Sequence, residues 1–291
     1  MQIERVEKAA VCEVTRRRGI QRISFYGDSM TRSMVQSLWM LLGASRSHAF
    51  ACPREREEGC SQTFDCGGRH ILTVHQIREG DTAHVRDNLT NIAASLASAD
   101  VIVLNFGSHY GPVSHNSSYG EAYRAYTTDM FALASLARAA LEAPRRPFHP
   151  TKQIVFRSTP PGHPRCDEFG DLTPSSPESQ QSSVRAWLSC PECVDLYGWP
   201  LLPMFDRVAR DILEPTGVHF LDVTTMSNQR PDAHTAWRHD NGRLPPDCMH
   251  YTLPGVPDHW NALLISALER CVAPLPITPI RPVSNLKMYH S

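Results

Sequence analysis

The stretch Ile23-Ser24-Phe25-Tyr26-Gly27-Asp28-Ser29-Met30-Thr31-Arg32 changes its periodicity halfway along. Ile23 to Tyr26 is a short apolar run that stops at Gly27. From Arg32 to Leu42 the apolar residues Met34, Val35, Leu38, Leu41 and Leu42 recur at helical spacing. A strand therefore turns into a helix at Gly27-Asp28-Ser29. The same alternation continues outward. Strands are expected at Ile71 to Val74, Val101 to Leu104, Ile154 to Phe156 and Val218 to Val223. Helical stripes lie at Val85 to Leu96, Tyr126 to Leu141, Phe205 to Ile212 and Trp260 to Cys271. Short apolar strands separated by helices indicate a parallel sheet covered on both faces. The expectation is one doubly wound α/β domain, a three-layer sandwich with a mostly parallel five-stranded sheet. It spans residues 20–273, between an N-terminal extension (1–19) and a Pro-rich tail (274–291). Two stretches break the alternation: Cys52 to Gly68, charged and Cys-rich, and Thr159 to Pro200, rich in Ser and Pro.

Composition narrows the function classes. Hydrophobic residues make up 41% and charged residues 20% of the 291, enough to bury a core. Lys and Arg total 29 against 30 Asp and Glu, a net charge of -1. That argues against a nucleic-acid partner held by phosphate neutralisation. No apolar run approaches the roughly 20 residues of a membrane span. The first 22 residues contain no apolar centre, so no signal peptide or anchor is visible. Nine cysteines nevertheless cluster in polar, Pro/Gly-containing stretches, which suits disulfides in an oxidising compartment. Sequons at Asn88 and Asn116 add little. The expected location is the secretory pathway, in the Golgi lumen or secreted, with the cytoplasm as the alternative.

Ligands of open α/β sheets bind at the carboxyl ends of the strands. Read there, the chain offers Gly27-Asp28-Ser29, Asn105-Phe106-Gly107-Ser108-His109, Arg157 with Pro161 and His163, and, near the end of the chain, Asp247-Cys248-Met249-His250. Ser29 sits near the positive end of a helix dipole. Its hydroxyl needs a base to become a nucleophile. His250 is a candidate base, and Asp247, three residues earlier, can fix the imidazole tautomer. An oxyanion needs donors already in place, for which the Ser29 N–H, the Asn105 amide and a glycine N–H are candidates. The bland alternative is that a serine before a helix is only an N-cap. His163-x-x-Cys166 and Cys190-x-x-Cys193 also have zinc-like spacing, with loop disulfides as the alternative.

Gly27-Asp28-Ser29-Met30-Thr31-Arg32 resembles the nucleophile block of the SGNH (GDSL-type) hydrolase and acyltransferase superfamily. The C-terminal segment is more specific. Arg230, Asp232, His234, Asp247, Cys248, His250, Leu253, Pro254, Gly255, Pro257, Asp258, Trp260 and Asn261 match the pattern of the plant trichome-birefringence-like proteins. Those are polysaccharide O-acetyltransferases grouped with the PC-esterases. Asn105 with Gly107, and Arg157 with Pro161 and His163, match two looser blocks of the same family. Tyr251 and Thr252 stand where that family has Trp and Cys.

The resemblance implies an SGNH-hydrolase-like fold from about Ile20 to Cys271 and a Ser29–His250–Asp247 catalytic triad. Asp28, Asn105, Gly107, Arg157 and His163 would then form the oxyanion or substrate-binding set. Arg230, Asp232 and His234 would brace the loop that carries Asp247 and His250. Acetyl would pass through an acyl-serine to a glycan acceptor. No bound cofactor or metal is expected. An acetyl donor is required, acetyl-CoA being one candidate, although no phosphate-cradling glycine loop is visible. An esterase that removes acyl groups from carbohydrate or lipid, or a non-catalytic glycan-binding relative, are the alternatives. Trp187, Trp199 and Trp237 could stack on sugar rings or serve as hydrophobic anchors.

Overall fold

A computed structural model describes residues 7–51, 59–77, 84–111, 117–144, 151–163, 166, 198–234 and 247–270. Its centre is a six-stranded sheet: β1 (Arg22–Gly27), β2 (Cys60–Asp65), β3 (Ile71–Ile77), β4 (Val101–Asn105), β5 (Gln153–Arg157) and β6 (His219–Leu221). The strand order is β2-β3-β1-β4-β5-β6, parallel throughout except that β2 runs antiparallel to β3. Every residue of β4 is buried, as a central strand covered on both faces requires.

The helices are α1 (Lys8–Arg18), α2 (Ser29–Leu41), α3 (Arg46–Ala49), α4 (Leu89–Ser98), α5 (Tyr119–Glu142), α6 (Leu202–Leu213), α7 (Thr224–Ser227) and α8 (Val256–Arg270). The chain leaves β1 in one direction, toward β3, and then reverses to build β4, β5 and β6 on the other side. Right-handed crossovers running in opposite directions place their helices on opposite faces. Accordingly α2 packs with α8 and α8 with α1, while α5 lies against α4 and α6. The loops after β1 and β4 leave toward opposite faces, so a crevice opens between those carboxyl ends. Gly27 and Asn105 are paired in register at that point.

The α2–α8 layer is tied by polar groups as well as apolar ones. The Asn261 amide donates to the Met34 carbonyl at 3.0 Å and to Ser37 Oγ at 2.9 Å. The buried indoles Trp39 and Trp260 donate to Val74 O at 3.3 Å and Ser227 Oγ at 2.9 Å, which removes the penalty of an unpaired N–H.

The strand count corrects the sequence expectation of five. β2 lies inside the stretch read as irregular, and of its six residues only Phe64 is buried. A polar edge strand with one inward residue carries almost no hydrophobic signal. The sequence alone reads residues 1–19 as an extension. Within them α1 places Val11, Cys12 and Val14 in the same core as the sheet, and a Cys12–Cys66 disulfide joins α1 to the turn after β2. Asn88 is buried, and its amide donates to His84 O at 2.8 Å, so that sequon does not present a free side chain. Trp199 is buried as an anchor. Asn116, Trp187, Trp237, Cys190, Cys193, most of 159–200 and the tail at 274–291 lie outside the described residues.

Gly27 is where β1, β4 and α2 crowd together. A Cβ added there would lie 2.4 Å from the Asn105 carbonyl oxygen and 2.6 Å from Thr31 Oγ1. Backbone cannot yield as a flexible side chain can, so Gly27→Ala is expected to destabilise the fold by about 1–3 kcal/mol, read as a lower midpoint in urea unfolding.

Candidate active site

Ser29 is not the cap of α2; Asp28 is. Asp28 Oδ1 accepts the backbone N–H groups of Met30 at 3.0 Å and Thr31 at 3.2 Å. Ser29 is thereby the first helical residue, and its hydroxyl is released from capping. The second Asp28 oxygen accepts a short hydrogen bond from the Ser108 hydroxyl. The Ser29 backbone N–H belongs to the helix's first turn, where no intrahelical acceptor exists.

The Ser29 hydroxyl lies 2.6 Å from His250 Nε2. His250 Nδ1–H donates to Asp247 Oδ2 at 2.8 Å. Because a carboxylate only accepts, this bond puts the imidazole hydrogen on Nδ1 and leaves Nε2 with a lone pair facing the serine. Asp247 Oδ1 accepts the backbone N–H of Met249 at 3.1 Å and of His250 at 3.0 Å. Burial pushes the Asp247 carboxyl up, but the hydrogen bonds from His250 and Met249 together outweigh it and hold it well below the usual carboxylate range.

The loop bearing Asp247 and His250 has no regular secondary structure, so its position depends on its neighbours. Cys248 is disulfide-bonded to Cys166, and the Cys248 carbonyl accepts the His163 backbone N–H at 3.0 Å. His234 Nδ1–H donates to the His250 carbonyl at 3.1 Å. A β-bridge pairs His234 with Tyr251. Arg230 and Asp232 form a bidentate pair, with Nη2 to Oδ2 at 2.8 Å and Nε to Oδ1 at 2.9 Å, just ahead of that bridge. Of the three residues expected to brace this loop, His234 contacts it directly, whereas Arg230 and Asp232 pair with each other.

The remaining expected residues lie deeper. Asn105 is fully buried, and its amide donates to Arg157 O at 2.9 Å and Thr159 Oγ1 at 2.7 Å. Both amide hydrogens are therefore committed within the fold. Gly107 lies against Thr159, whose Oγ1 would be 2.6 Å from any Cβ at that position. Arg157 is also fully buried. Its Nη1 donates to Ser158 O at 2.8 Å and its Nη2 to Thr31 Oγ1 at 3.3 Å; its guanidinium carbon lies 4.9 Å over the Trp260 ring. Asp28 Oδ1 is 3.8 Å away. His163 is buried between His234 and Asn228. The structure thus brings Ser29, His250 and Asp247 together, with Asp28 beneath them, and sets Asn105, Arg157 and His163 behind that group.

Sequence reading placed Ser108 at the carboxyl edge without its bond to Asp28 and missed Asp206. Asp206 accepts the Thr159 N–H at 2.9 Å and the Thr224 hydroxyl at 3.0 Å. Burial raises its carboxyl to about 7 despite those bonds. Nothing in the stripe of α6 marks it as a carboxylate pointing inward. The zinc reading loses one ligand, because the Cys166 thiol is taken up in a disulfide. Among the described residues no group of three or more His, Cys, Asp or Glu could hold a metal ion.

A serine, a histidine and an aspartate hydrogen-bonded in series at the carboxyl edge of a parallel sheet is the arrangement that serine hydrolases use. The chain belongs to the PC-Esterase family, the GDSL/SGNH-like acyl-esterase family found in Pmr5 and Cas1p, whose pattern matches residues 10–267. The α/β fold is accordingly SGNH-hydrolase-like. Among its relatives is trichome birefringence-like protein 40 of Arabidopsis thaliana, 29% identical over 85% of this chain and 69% of that one. Another is trichome birefringence-like protein 38 of the same plant, 26% identical over 85% of this chain. The matched stretch spans 66% of that second relative's length. Similar solved structures include a catalytic mutant of Axe2, an acetylxylan esterase from Geobacillus stearothermophilus (15% identity, 84% of this chain and 92% of that chain, TM-score 0.45). The inhibitor-bound M. Smegmatis aryl esterase is a second (13% identity, 88% and 100%, TM-score 0.42).

Two outcomes follow from this geometry. Asp247 ionises more readily folded than unfolded, so its stabilisation is present above the unfolded carboxylate pKa of about 3.9 and is lost as pH falls through the lower folded value. Asp247→Asn is expected to lower stability at neutral pH, with the difference from wild type narrowing as pH falls from roughly 5 toward 2. Urea unfolding at several pH values measures it. Replacing Cys166 and Cys248 together by Ala is expected to cost about 2–5 kcal/mol, read by the same method.

Proposed function

We propose that this chain is an O-acetyltransferase that carries acetyl on Ser29 and delivers it to a glycan hydroxyl. The observation that carries the reading is the continuous relay from Ser29 Oγ through His250 to Asp247, at 2.6 and 2.8 Å. Ser29 Oγ attacks the carbonyl carbon of an acetyl donor while its proton passes to His250 Nε2. Asp247 stabilises the imidazolium that forms. The tetrahedral oxyanion is met by the Ser29 backbone N–H at the positive end of α2. On collapse the C–O or C–S bond to the donor breaks, and His250 returns the proton to the leaving group. A sugar hydroxyl then attacks acetyl-Ser29, with His250 again acting as base. Serine is regenerated and the acetyl ester of the glycan departs. Asp28 positions the nucleophile by fixing the start of α2.

The acetyl group and the glycan acceptor rest on the resemblance of the Arg230–Asn261 segment to polysaccharide O-acetyltransferases. The disulfides favour a secretory-pathway lumen. The catalytic unit is residues 20–273 together with α1.

Hydrolysis is the second reading, and the openness of the site favours it. The His250 and Asp247 side chains are 29% and 36% exposed. Water can reach the base unless the acceptor glycan covers it, and exclusion of water is what separates transfer from hydrolysis.

The test is intact mass and peptide mapping after brief exposure to an activated acetyl ester, with and without a panel of glycans. One acetyl on Ser29, discharged faster by a glycan than by water, is the expected result. Discharge by water alone would make the protein an esterase. Ser29→Ala is expected to abolish the adduct with an unchanged melting temperature. Full acylation of that variant would remove Ser29 from the mechanism. Asp247→Asn should slow acylation on the order of 10⁴-fold, because the imidazole loses its tautomer and orientation.

A further inference from the structure

We propose that His163 and His234 share one buried proton, and that this proton positions His250 by securing the bond to its carbonyl. Both rings are buried, and His163 Nδ1 lies 2.6 Å from His234 Nε2. Their outer nitrogens both face backbone carbonyls: His163 Nε2 meets Asn228 O at 3.1 Å, and His234 Nδ1 meets His250 O at 3.1 Å. A carbonyl accepts and never donates, so each outer nitrogen must carry a hydrogen.

A neutral imidazole has only one N–H. Two neutral rings that satisfy both carbonyls would therefore face each other, lone pair against lone pair. One further proton, taken up from solvent, converts that contact into N–H···N. The four nitrogens then carry three protons and the pair carries a single positive charge. Without it, one ring must change tautomer to supply the inner hydrogen, and either Asn228 O or His250 O loses its donor. The proton and the brace on His250 are therefore linked.

The groups facing the pair pull both ways. Burial drives each ring toward neutrality, taking His163 to about 4, while the Asn228 carbonyl and Asp232 pull it back up. Burial, then the charge of His163 and last that of the His250 ring act the same way on His234, opposed by the His250 carbonyl and Asp247. Arg230 neutralises part of the Asp232 charge through their bidentate pair. Tyr251 stacks on His234 at 4.3 Å between centroids and adds no charge at neutral pH, since burial lifts its phenol further out of range. The direction we assign to the pair is upward from where burial alone would leave either ring, because no neutral arrangement keeps both carbonyl bonds. The brace is then present at low pH and is lost as pH rises through the pair's folded pKa.

The proton count does not depend on whether Ser29 is acylated; its kinetic consequence rests on the proposed triad. The experiment is a ring-¹⁵N NMR titration of the full chain, disulfides intact and histidine labelled. Rings are assigned with His163→Gln, whose Nε2 keeps the donor to Asn228 O, and His234→Asn, whose Nδ2 keeps the donor to His250 O. The expected result is three protons on four nitrogens at the acid end and two at the alkaline end, both rings moving in one shared step that either variant abolishes. One proton per ring at every pH where the protein is folded, or two independent steps, would overturn the proposal. If one variant fails to fold, the other assigns its own ring by the lost signal and the partner as the ring whose titration step it abolishes. In acyl transfer, the same step should appear as a roughly tenfold alkaline fall in kcat that is absent in His234→Asn. A merely structural histidine would leave the fall in place. An inactive chain with the shared step would sink the triad and not the shared proton.

Discussion

A cation with no exposed surface constrains everything around it, and Arg157 is such a cation. Among the described residues its guanidinium donates to Ser158 O and Thr31 Oγ1 alone and rests on the Trp260 ring, and its Nε–H has no partner. Taking that charge out of water costs several kcal/mol unless an anion answers it. The nearest is Asp28, 3.8 Å away. Asp28 is also the cap of α2. The same carboxylate therefore balances the buried charge and decides where the helix begins. Where the helix begins decides where the Ser29 hydroxyl emerges. The Ser108 hydroxyl bonds the free oxygen of Asp28 and so attaches the loop after β4 to this arrangement.

The other half of the site is built differently. Ser29 stands on a strand-to-helix junction at the edge of the sheet, but Asp247 and His250 stand on a loop. A loop reaches the precision of a helix only if something else fixes it. Here the restraints come from two directions: the segment after β5 supplies a disulfide from Cys166 and a backbone bond from His163, and the segment ahead of the loop supplies the His234 bond with its flanking bridge to Tyr251. Asp247 adds a local one, since its Oδ1 closes the turn that leads into His250.

These two constructions explain what could be read from the chain itself. The parallel strands are legible because central strands are continuous apolar runs, and α2, α5 and α8 because their buried stripes repeat at helical spacing. β2 is illegible because an edge strand with Phe64 as its one inward residue looks like a polar loop. Ser29, Asp247 and His250 are legible by type and by position at the carboxyl edge. Asn105, Arg157 and His163 share that edge and those polar types, so they read as ligand-facing. Their burial is a matter of which way a side chain turns after its strand ends, and strand periodicity stops at that point. The Cys166–Cys248 pair and the His163–His234 contact span 82 and 71 residues of sequence. No local pattern reports a contact that only the closed fold creates.

The two halves meet at a single residue. His250 is held at its ring by Asp247 through Nδ1 and at its backbone by His234 through the carbonyl oxygen. The ring bond fixes which nitrogen carries hydrogen and the plane in which Nε2 can point. The backbone bond fixes where that plane is anchored relative to α2. Either alone would leave a freedom: rotation about the side chain without Asp247, or translation of the loop without His234. A Ser29–His250 distance of 2.6 Å needs both removed. The buried polar residues behind the site are therefore part of its geometry even though they reach no solvent. They hold a turn without regular secondary structure so that one imidazole lone pair faces one hydroxyl.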